Sequence, residues 1–109
     1  MEAHTTDVQQ LRIKRPSLDA VEAERMLRAA RAACAAGARA LVIDLGGVTV
    51  LDSWGISALL RLRKQTPRSV SVVIASMSEA AQRAARVTHL HDVFDIYADA
   101  RTAVEDLSS

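Results

Sequence analysis

Apolar residues along the chain occur in two kinds of pattern, short continuous runs and longer stretches with helical spacing. Residues 40–45 and 70–75 are nearly continuous apolar runs, a length and pattern typical of strands that are buried on both faces. Apolar positions three or four residues apart instead predict helices over residues 20–36, 53–65 and 78–88, and a last helix after Asp99. Strands that alternate with helices across short connections indicate an α/β domain.

Two weaker patterns complete the predicted fold. Residues 8–13 mix apolar with polar positions and predict an edge strand, and residues 94–97 predict a short strand before the last helix. We therefore expect an α/β fold with a mixed central sheet of about four strands, flanked by about four helices. This single domain is expected to span residues 8–107, and residues 1–7 are expected to form a disordered leader.

Particular residues mark the ends and the inner faces of the predicted helices. Asp19 followed by Glu22 matches a capping box, and Gly37 is a typical helix stop. Pro67 ends the second helix, because proline cannot continue one. The apolar positions expected to face the core are Val21, Met26, Leu27, Ala30 and Cys34 in the first helix and Ala80, Ala81, Ala84 and Val87 in the third.

Composition and charge exclude several classes of function. The formal net charge is +1 and the aromatic residues are Trp54, Phe94 and Tyr97, so we expect no direct binding of nucleic acid. The basic residues within segment 61–68 are interpreted first as the solvated face of a helix and, as the alternative, as a patch that faces a partner. No apolar stretch reaches the roughly 18 residues of a membrane-spanning helix, so we expect no membrane insertion and a cytoplasmic location. The single cysteine, Cys34, excludes an intrachain disulfide.

Candidate catalytic and metal-binding groups are few. Ser53 lacks the Gly-x-Ser-x-Gly context of a nucleophilic serine, and the sequence has no phosphate-binding Gly-x-x-x-x-Gly-Lys loop. His89 and His91 have no recognisable acid partner for catalysis and no further histidine or cysteine cluster for a metal ion. They are therefore interpreted as surface histidines near a helix end. We expect no enzymatic activity, no metal and no cofactor.

Residues 41–56 read Leu-Val-Ile-Asp-Leu-Gly-Gly-Val-Thr-Val-Leu-Asp-Ser-Trp-Gly-Ile. This segment resembles the central signature of STAS domains, in particular those of bacterial anti-sigma factor antagonists. That signature is a hydrophobic strand ending in Asp-Leu, a short turn containing valine, and Asp-Ser-x-Gly at the start of a helix. The resemblance extends over about residues 11–107. The sequence departs from the family pattern at Trp54, where serine or threonine is common, and before the first helix, where the family's hairpin is shortened.

The resemblance implies a function in protein–protein recognition. In this family, the antagonist binds an anti-sigma factor, commonly a serine kinase of the GHKL type, and so frees the sigma factor. Phosphorylation of the serine after the motif's aspartate, here Ser53, releases the complex, and a serine phosphatase is an expected second partner. The residues expected to bind the partner are Asp19, Asp52, Ser53, Trp54 and Gly55. The alternative is a stand-alone STAS subunit of an ABC-type membrane transport complex, docking on its ATPase.

The residues of this motif also have plainer structural interpretations. Ser53 lies at or next to the N-cap of the predicted helix and could act only as a cap. Asp52 could serve as an interface acid or merely hold the turn by hydrogen bonds. Asp19 is chiefly a cap, although its family counterpart lies on the edge that faces the partner. Gly55 is expected to allow close packing at the start of the helix.

A phosphate on Ser53 and the side chain of Trp54 have the largest expected effects on binding. The phosphate would add roughly −1.5 to −2 charges beside Asp52. A helix N-terminus tolerates such charge, so we expect the fold to persist while a neutral or acidic partner surface is repelled. Trp54 is either an anchor for the partner or a cover for the apolar loop around Val48 and Val50.

Overall fold

The computed structural model describes residues 7–108. Its strands are β1 (Val8–Arg12), β2 (Ala40–Asp44), β3 (Ser71–Ala75) and β4 (Asp95–Tyr97), and its helices are α1 (Ala20–Ala35), α2 (Ser53–Gln65), α3 (Glu79–Val87) and α4 (Ala100–Ser108). A short 3₁₀ helix, Leu90–Asp92, lies between α3 and β4 and was not expected from the sequence. Every predicted strand and helix is present, which confirms the α/β fold class.

The four strands form one sheet in the order β1-β2-β3-β4, and each neighbouring pair is parallel. Ile74 of β3 lies opposite Ile43 of β2 on one side and Ile96 of β4 on the other. The expectation of a mixed sheet is therefore wrong for the strands within residues 7–108. The physical reason is that helical segments join successive strands, and such a crossover returns the chain to the end of the sheet where the previous strand began.

The sheet separates two apolar cores of unequal size. The larger core packs α1, α2 and α3 on the face that carries Leu41 and Ile43, and Leu59 of α2 is fully buried in it. The smaller core packs α4 on the opposite face, where Ala103 meets Val42. Strand β2 is buried on both faces, as its continuous apolar run predicts.

A buried carboxylate joins the carboxyl ends of β1 and β2. Asp44 ends β2 and is only 4% exposed. Its Oδ1 accepts a hydrogen bond of 2.9 Å from the backbone N–H of Gly46, and its Oδ2 accepts bonds of 3.0 Å from Arg12 and 3.1 Å from Gln10. Asp44 thus holds the turn that leads toward α2, and a satisfied buried charge of this kind fixes the loop geometry.

Two valines expected in the core lie at the surface instead. Val21 of α1 is 58% exposed and Val87 of α3 is 80% exposed. In α3 the buried residues are Ala81 and Ala85, whereas Ala80 is exposed. The reason is that an alanine-rich helix offers several nearly equivalent apolar stripes, so spacing alone does not determine which of them meets the sheet.

The predicted leader falls largely outside the described residues, which begin at Asp7. The backbone carbonyl of Asp7 accepts hydrogen bonds from the backbone N–H groups of Arg39 and Ala40, and its carboxylate pairs with the Arg39 guanidinium at 3.1 Å. Asp7 is therefore part of the folded domain. Over residues 7–108, no helix has both the length and the apolar character needed to cross a bilayer.

Candidate partner-binding site

The first turn of α2 is capped by Asp52 rather than by Ser53. Asp52 has an extended backbone, and its carboxylate accepts a hydrogen bond of 3.1 Å from the backbone N–H of Gly55. Ser53 is the first helical residue and is exposed, and no hydrogen bond to a residue in the 7–108 range uses its hydroxyl. The interpretation of Ser53 as only a cap is therefore wrong, because its neighbour already satisfies the free amide.

Gly55 lies beneath the surface at the start of α2. A Cβ atom added there would lie 2.9 Å from Leu51 Cδ1 and 3.2 Å from Leu18 Cβ. These separations are shorter than ordinary carbon–carbon contacts, so only glycine lets α2 approach the loop before α1 this closely. Gly55 shapes the site from below, and the expected close packing at the helix start is confirmed.

Asp19 caps α1, which packs beside α2. Its carboxylate accepts a hydrogen bond of 2.9 Å from the backbone N–H of Glu22. Among the described residues, only the Asp19 half of the expected capping box forms. The buried Glu22 Oε1 accepts from the backbone N–H of Lys14, at 3.2 Å, and not from that of Asp19. The Asp19 side chain remains exposed, so it can serve the helix and a surface at the same time.

The starts of α1 and α2 enclose a groove of about 400 Å³, which we call the α1–α2 groove. Asp19, Ser53 and Trp54 line one part of it, and the buried Ala23 and Ala58 contribute to its apolar wall. At its other end Arg61 lies 4.0 Å from Glu24 in an exposed ion pair. The groove therefore combines apolar wall with charged ends, as surfaces that bind proteins commonly do.

A second groove, of about 340 Å³, lies on the other side of Ser53 between α2 and α3, and we call it the α2–α3 groove. Asp52, Ser53 and Ile56 line it from α2, and Arg83 and Val87 line it from α3. Because Ser53 lines both grooves, its hydroxyl lies on the ridge that separates them. Four of the predicted site residues, Asp19, Asp52, Ser53 and Trp54, are brought together around this ridge.

Trp54 is 73% exposed, although it is the largest apolar side chain of the site. The alternative in which its ring covers the loop around Val48 and Val50 is wrong, because the ring is in solvent and Val50 is itself 53% exposed. An exposed tryptophan beside an apolar groove leaves a large apolar surface in contact with water. Covering such a surface with another apolar surface is favourable, because it removes the tryptophan ring from water.

Sequence reasoning did not place Arg61, Arg83 or Val87 in a groove beside Ser53. Arg61 could have been found, since Ser53, Ser57 and Arg61 follow one another at intervals of four residues and therefore share a face of α2. Arg83 and Val87 carried no comparable signal, because they lie on a different helix. Only the packing of α3 beside the start of α2 brings them next to Ser53.

A separate cluster of possible metal ligands lies between α3 and β4. Within residues 7–108 it is the one group of three ligand-type side chains whose donor atoms converge, and it comprises His89, His91 and Asp92. Asp92 thus lies beside both histidines, an acid that sequence reasoning did not assign to them. His89 has a left-handed backbone, with φ of 59°, and the turn brings its ring round to Asp92. None of the three residues lines the α1–α2 or the α2–α3 groove.

Comparison with known proteins identifies the family. The family model for the STAS domain matches residues 3–103. The chain belongs to the STAS domain family. This STAS domain superposes on the structure of an anti-sigma factor antagonist from Mycobacterium paratuberculosis with a TM-score of 0.72 and 26% identity, covering 85% of this chain and 80% of that one.

Two further solved structures are similar to this STAS domain. An anti-sigma factor antagonist (STAS) domain protein from Planctomyces limnophilus matches with a TM-score of 0.69 and 26% identity, over 84% of this chain and 80% of that one. The STAS domain of a SulP transporter from Vibrio cholerae matches with a TM-score of 0.73 but 17% identity, over 94% and 79%, which shows a shared fold alone. No curated protein sequence matches the chain significantly.

Proposed function

We propose that this STAS domain is an anti-sigma factor antagonist that works by partner switching. It binds an anti-sigma factor that is also a serine kinase of the GHKL type, and phosphorylation of Ser53 releases the complex. The observation that carries the proposal is the position of Ser53, whose hydroxyl is exposed and uncommitted on the ridge between two grooves. A kinase can reach such a hydroxyl without unfolding any part of the domain.

The placement of Ser53 explains how a phosphate would change binding and leave the fold intact. A phosphate adds roughly −1.5 to −2 charges. At the first position of α2 it faces the free amides and the positive end of the helix dipole, which favour negative charge. The same phosphate would lie beside the exposed carboxylates of Asp52 and Asp19. A partner seated across the ridge would then have to bury this concentrated charge, which is strongly unfavourable.

The two grooves provide the apolar area that the unmodified domain offers to its partner. Trp54 belongs to the α1–α2 groove and Val87 to the α2–α3 groove, and both are more than two-thirds exposed, at 73% and 80%. Arg61 and Arg83 add one cation to each groove. Interfaces often combine aromatic and arginine side chains in this way. The phosphate would therefore act at the centre of the surface that the partner covers.

The proposed cycle of phosphorylation and dephosphorylation at Ser53 also requires a phosphatase. A serine phosphatase returns the phosphorylated domain to its binding form, and both enzymes act on it in the cytoplasm. The domain itself contributes a binding surface and a modifiable hydroxyl, and it needs no cofactor for either role.

Affinity capture with matched variants tests the proposal. Wild-type, Ser53→Ala, Ser53→Asp and Ser69→Asp domains are immobilised and exposed to lysate of the source cells, and the retained proteins are quantified by mass spectrometry. We expect a GHKL-type kinase on the wild-type, Ser53→Ala and Ser69→Asp domains and its loss from Ser53→Asp. Ser69 is the charge control, because it is exposed and lies beyond the other end of the 13-residue helix α2, which is about 20 Å long.

Two outcomes would count against partner switching. Calorimetric titration of the purified kinase would falsify it if Ser53-phosphorylated and unmodified domains bound equally well. Capture of a transport ATPase, to the same extent on all four domains, would instead support a stand-alone STAS subunit of an ABC-type transport complex. Addition of ATP separates the cases further, since it should release the kinase from the wild-type domain but not from Ser53→Ala.

A further inference from the structure

The segment between α3 and β4 places two imidazoles and a carboxylate on one exposed turn. His89 begins the turn with a left-handed backbone, at φ 59° and ψ 29°, a conformation that few residues other than glycine adopt. His91 and Asp92 follow in the 3₁₀ helix Leu90–Asp92. The side chains of His89, His91 and Asp92 are 74%, 47% and 64% exposed, so water and ions reach all three.

Each imidazole of this cluster lies close to a different oxygen of the Asp92 carboxylate. The His89 Nδ1 atom lies 3.5 Å from Asp92 Oδ2, and the His91 Nε2 atom lies 3.4 Å from Asp92 Oδ1. Both distances exceed the roughly 2.7–2.9 Å of a charge-assisted hydrogen bond. In a tetrahedral zinc site, bonds of about 2.0–2.1 Å place neighbouring ligand atoms about 3.3–3.4 Å apart. The two His–Asp separations are close to that spacing but end on different oxygens of Asp92, so small side-chain rotations would bring one atom from each residue around a metal ion.

We infer that His89, His91 and Asp92 form a binding site for a divalent transition-metal ion of the Zn²⁺ class. Two imidazole nitrogens with one carboxylate oxygen suit Zn²⁺, whereas Mg²⁺ and Ca²⁺ prefer sites made of oxygen atoms alone. One ligand atom from each residue can lie within 4.8 Å of the others, and all three residues belong to four consecutive positions. Binding therefore requires little ordering of the chain. Three protein ligands leave a fourth coordination position for water or an added donor.

Calorimetric titration of the full chain with ZnCl₂, and separately with MgCl₂, tests the site. We expect one Zn²⁺ per chain and no heat of binding with Mg²⁺. His89→Asn, His91→Gln and Asp92→Asn should each weaken Zn²⁺ binding at least about tenfold, because each removes a ligand from a site that has only three. Asparagine is chosen at position 89 because it tolerates the left-handed backbone better than most residues.

Two control variants separate this site from other sources of binding. His4→Gln removes the third histidine of the sequence, and Asp95→Asn removes an exposed carboxylate near the cluster. Both should bind Zn²⁺ like the wild-type chain. Absence of Zn²⁺ binding, or binding that survives His91→Gln and is lost in His4→Gln, would overturn the inference.

Nuclear magnetic resonance of the wild-type chain gives a result that does not depend on the folding of any variant. Titration with Zn²⁺ should shift or broaden backbone amide signals of residues 88–93 and leave those around Ser53 unchanged. Changes centred elsewhere would also rule out the site. Neither measurement involves an anti-sigma factor or a kinase, so the metal site and the proposed function can fail independently.

Discussion

Asp52 and Ser53 are adjacent residues that have different roles at the start of α2. The Asp52 carboxylate accepts from the Gly55 amide at 3.1 Å, whereas the Ser53 hydroxyl makes no hydrogen bond to another part of the chain that the structure describes. We predict that Asp52→Ala lowers the free energy of unfolding by about 1 kcal/mol, and that Asp52→Asn changes it by only a few tenths, because asparagine caps nearly as well.

The companion variant is Ser53→Ala, which should change the free energy of unfolding by less than about 0.5 kcal/mol, the usual range for a surface substitution. Urea denaturation measures all three variants under the same conditions. If Ser53→Ala proved as destabilising as Asp52→Ala, the serine would be holding the helix after all, and its hydroxyl would not be free for a kinase.

Trp54 is the residue where a binding role and a packing role make opposite predictions. Since its side chain is 73% exposed, Trp54→Ala should leave the melting temperature within about 2 °C of the wild-type value. Affinity for the captured partner should fall at least tenfold, about 1.4 kcal/mol or more, as expected for a central aromatic anchor. Leu60→Ala is the matched control, because Leu60 is also exposed on α2 but lines neither groove. Equal loss of affinity in both variants would show that Trp54 has no special role.

For single residues, the sequence predicts structural roles better inside a motif than outside it. The order Asp52, Ser53, Trp54, Gly55 already indicates a helix start with a cap and a close contact, since each type has a local physical reason to be there. Val87 could not be assigned in the same way. Its exposure depends on which stripe of α3 meets the sheet, and that depends on the whole core.

At the scale of elements, Gly55 sets the distance between α2 and the loop that precedes α1. We predict that Gly55→Ala lowers the free energy of unfolding by about 1–2 kcal/mol, because the new methyl group overlaps Leu51 and Leu18 and outweighs the helix propensity of alanine. Gly47→Ala is the control, since its added methyl group would meet its nearest neighbours at 3.6 Å, an ordinary contact. Chemical denaturation that ranked the two variants in the opposite order would contradict this account.

Helix α4 depends on a cap whose strength varies with pH. The Asp99 carboxylate accepts from the Thr102 backbone N–H at 2.7 Å, and this hydrogen bond holds the pKa of Asp99 below its ordinary value. A carboxylate whose pKa is lowered by folding contributes stability above its unfolded pKa, about 3.9, and loses that contribution as the pH falls through the folded value. We predict that Asp99→Ala is destabilising at pH 7.

The difference between the wild-type and Asp99→Ala melting temperatures should then narrow as the pH is lowered below about 4. Differential scanning calorimetry from pH 7 to pH 3 measures this dependence. A difference that stayed constant over the whole range would show that the negative charge of Asp99 has no part in the cap.

At the scale of the whole molecule, the two faces of the sheet are unequally covered. Helices α1, α2 and α3 share the larger core, whereas α4 covers the other face alone, largely through Ala100 and Ala103. Tyr97 adds a hydrogen bond of 2.6 Å from its hydroxyl to Asp106, which also raises the pKa of the tyrosine. Small buried side chains contribute little apolar area, so α4 is held less firmly than α1 or α2.

We therefore predict that α4 opens without unfolding of the rest of the domain. Native-state hydrogen exchange should show at least tenfold less protection for backbone amides of residues 104–107 than for those of residues 41–43 in β2. Asp99→Ala should accelerate exchange in α4 and leave β2 unaffected. Equal protection of both segments would mean that the domain opens only as one cooperative unit.

The overall fold was predictable because apolar runs typical of strands alternate along the chain with stretches of helical spacing. The direction of the strands was not, since the alternation of strands and helices is compatible with either a parallel or a mixed sheet, whereas each described pair of strands is parallel. The convergence of His89, His91 and Asp92 could not be predicted from the sequence either. It depends on one left-handed residue, which the sequence does not mark with the usual glycine or asparagine.

If Ser53 is phosphorylated as proposed, its free hydroxyl has a consequence for how long the two covalent forms of the protein would persist. Because Asp52 holds the helix start in either form, we expect the phosphorylated and unmodified molecules to be equally resistant to unfolding and so to degradation. Turnover would then remove both forms at the same rate and leave their ratio unchanged. The ratio would then depend on past kinase and phosphatase activity. Synthesis of new, unmodified protein would change it, whereas degradation would not.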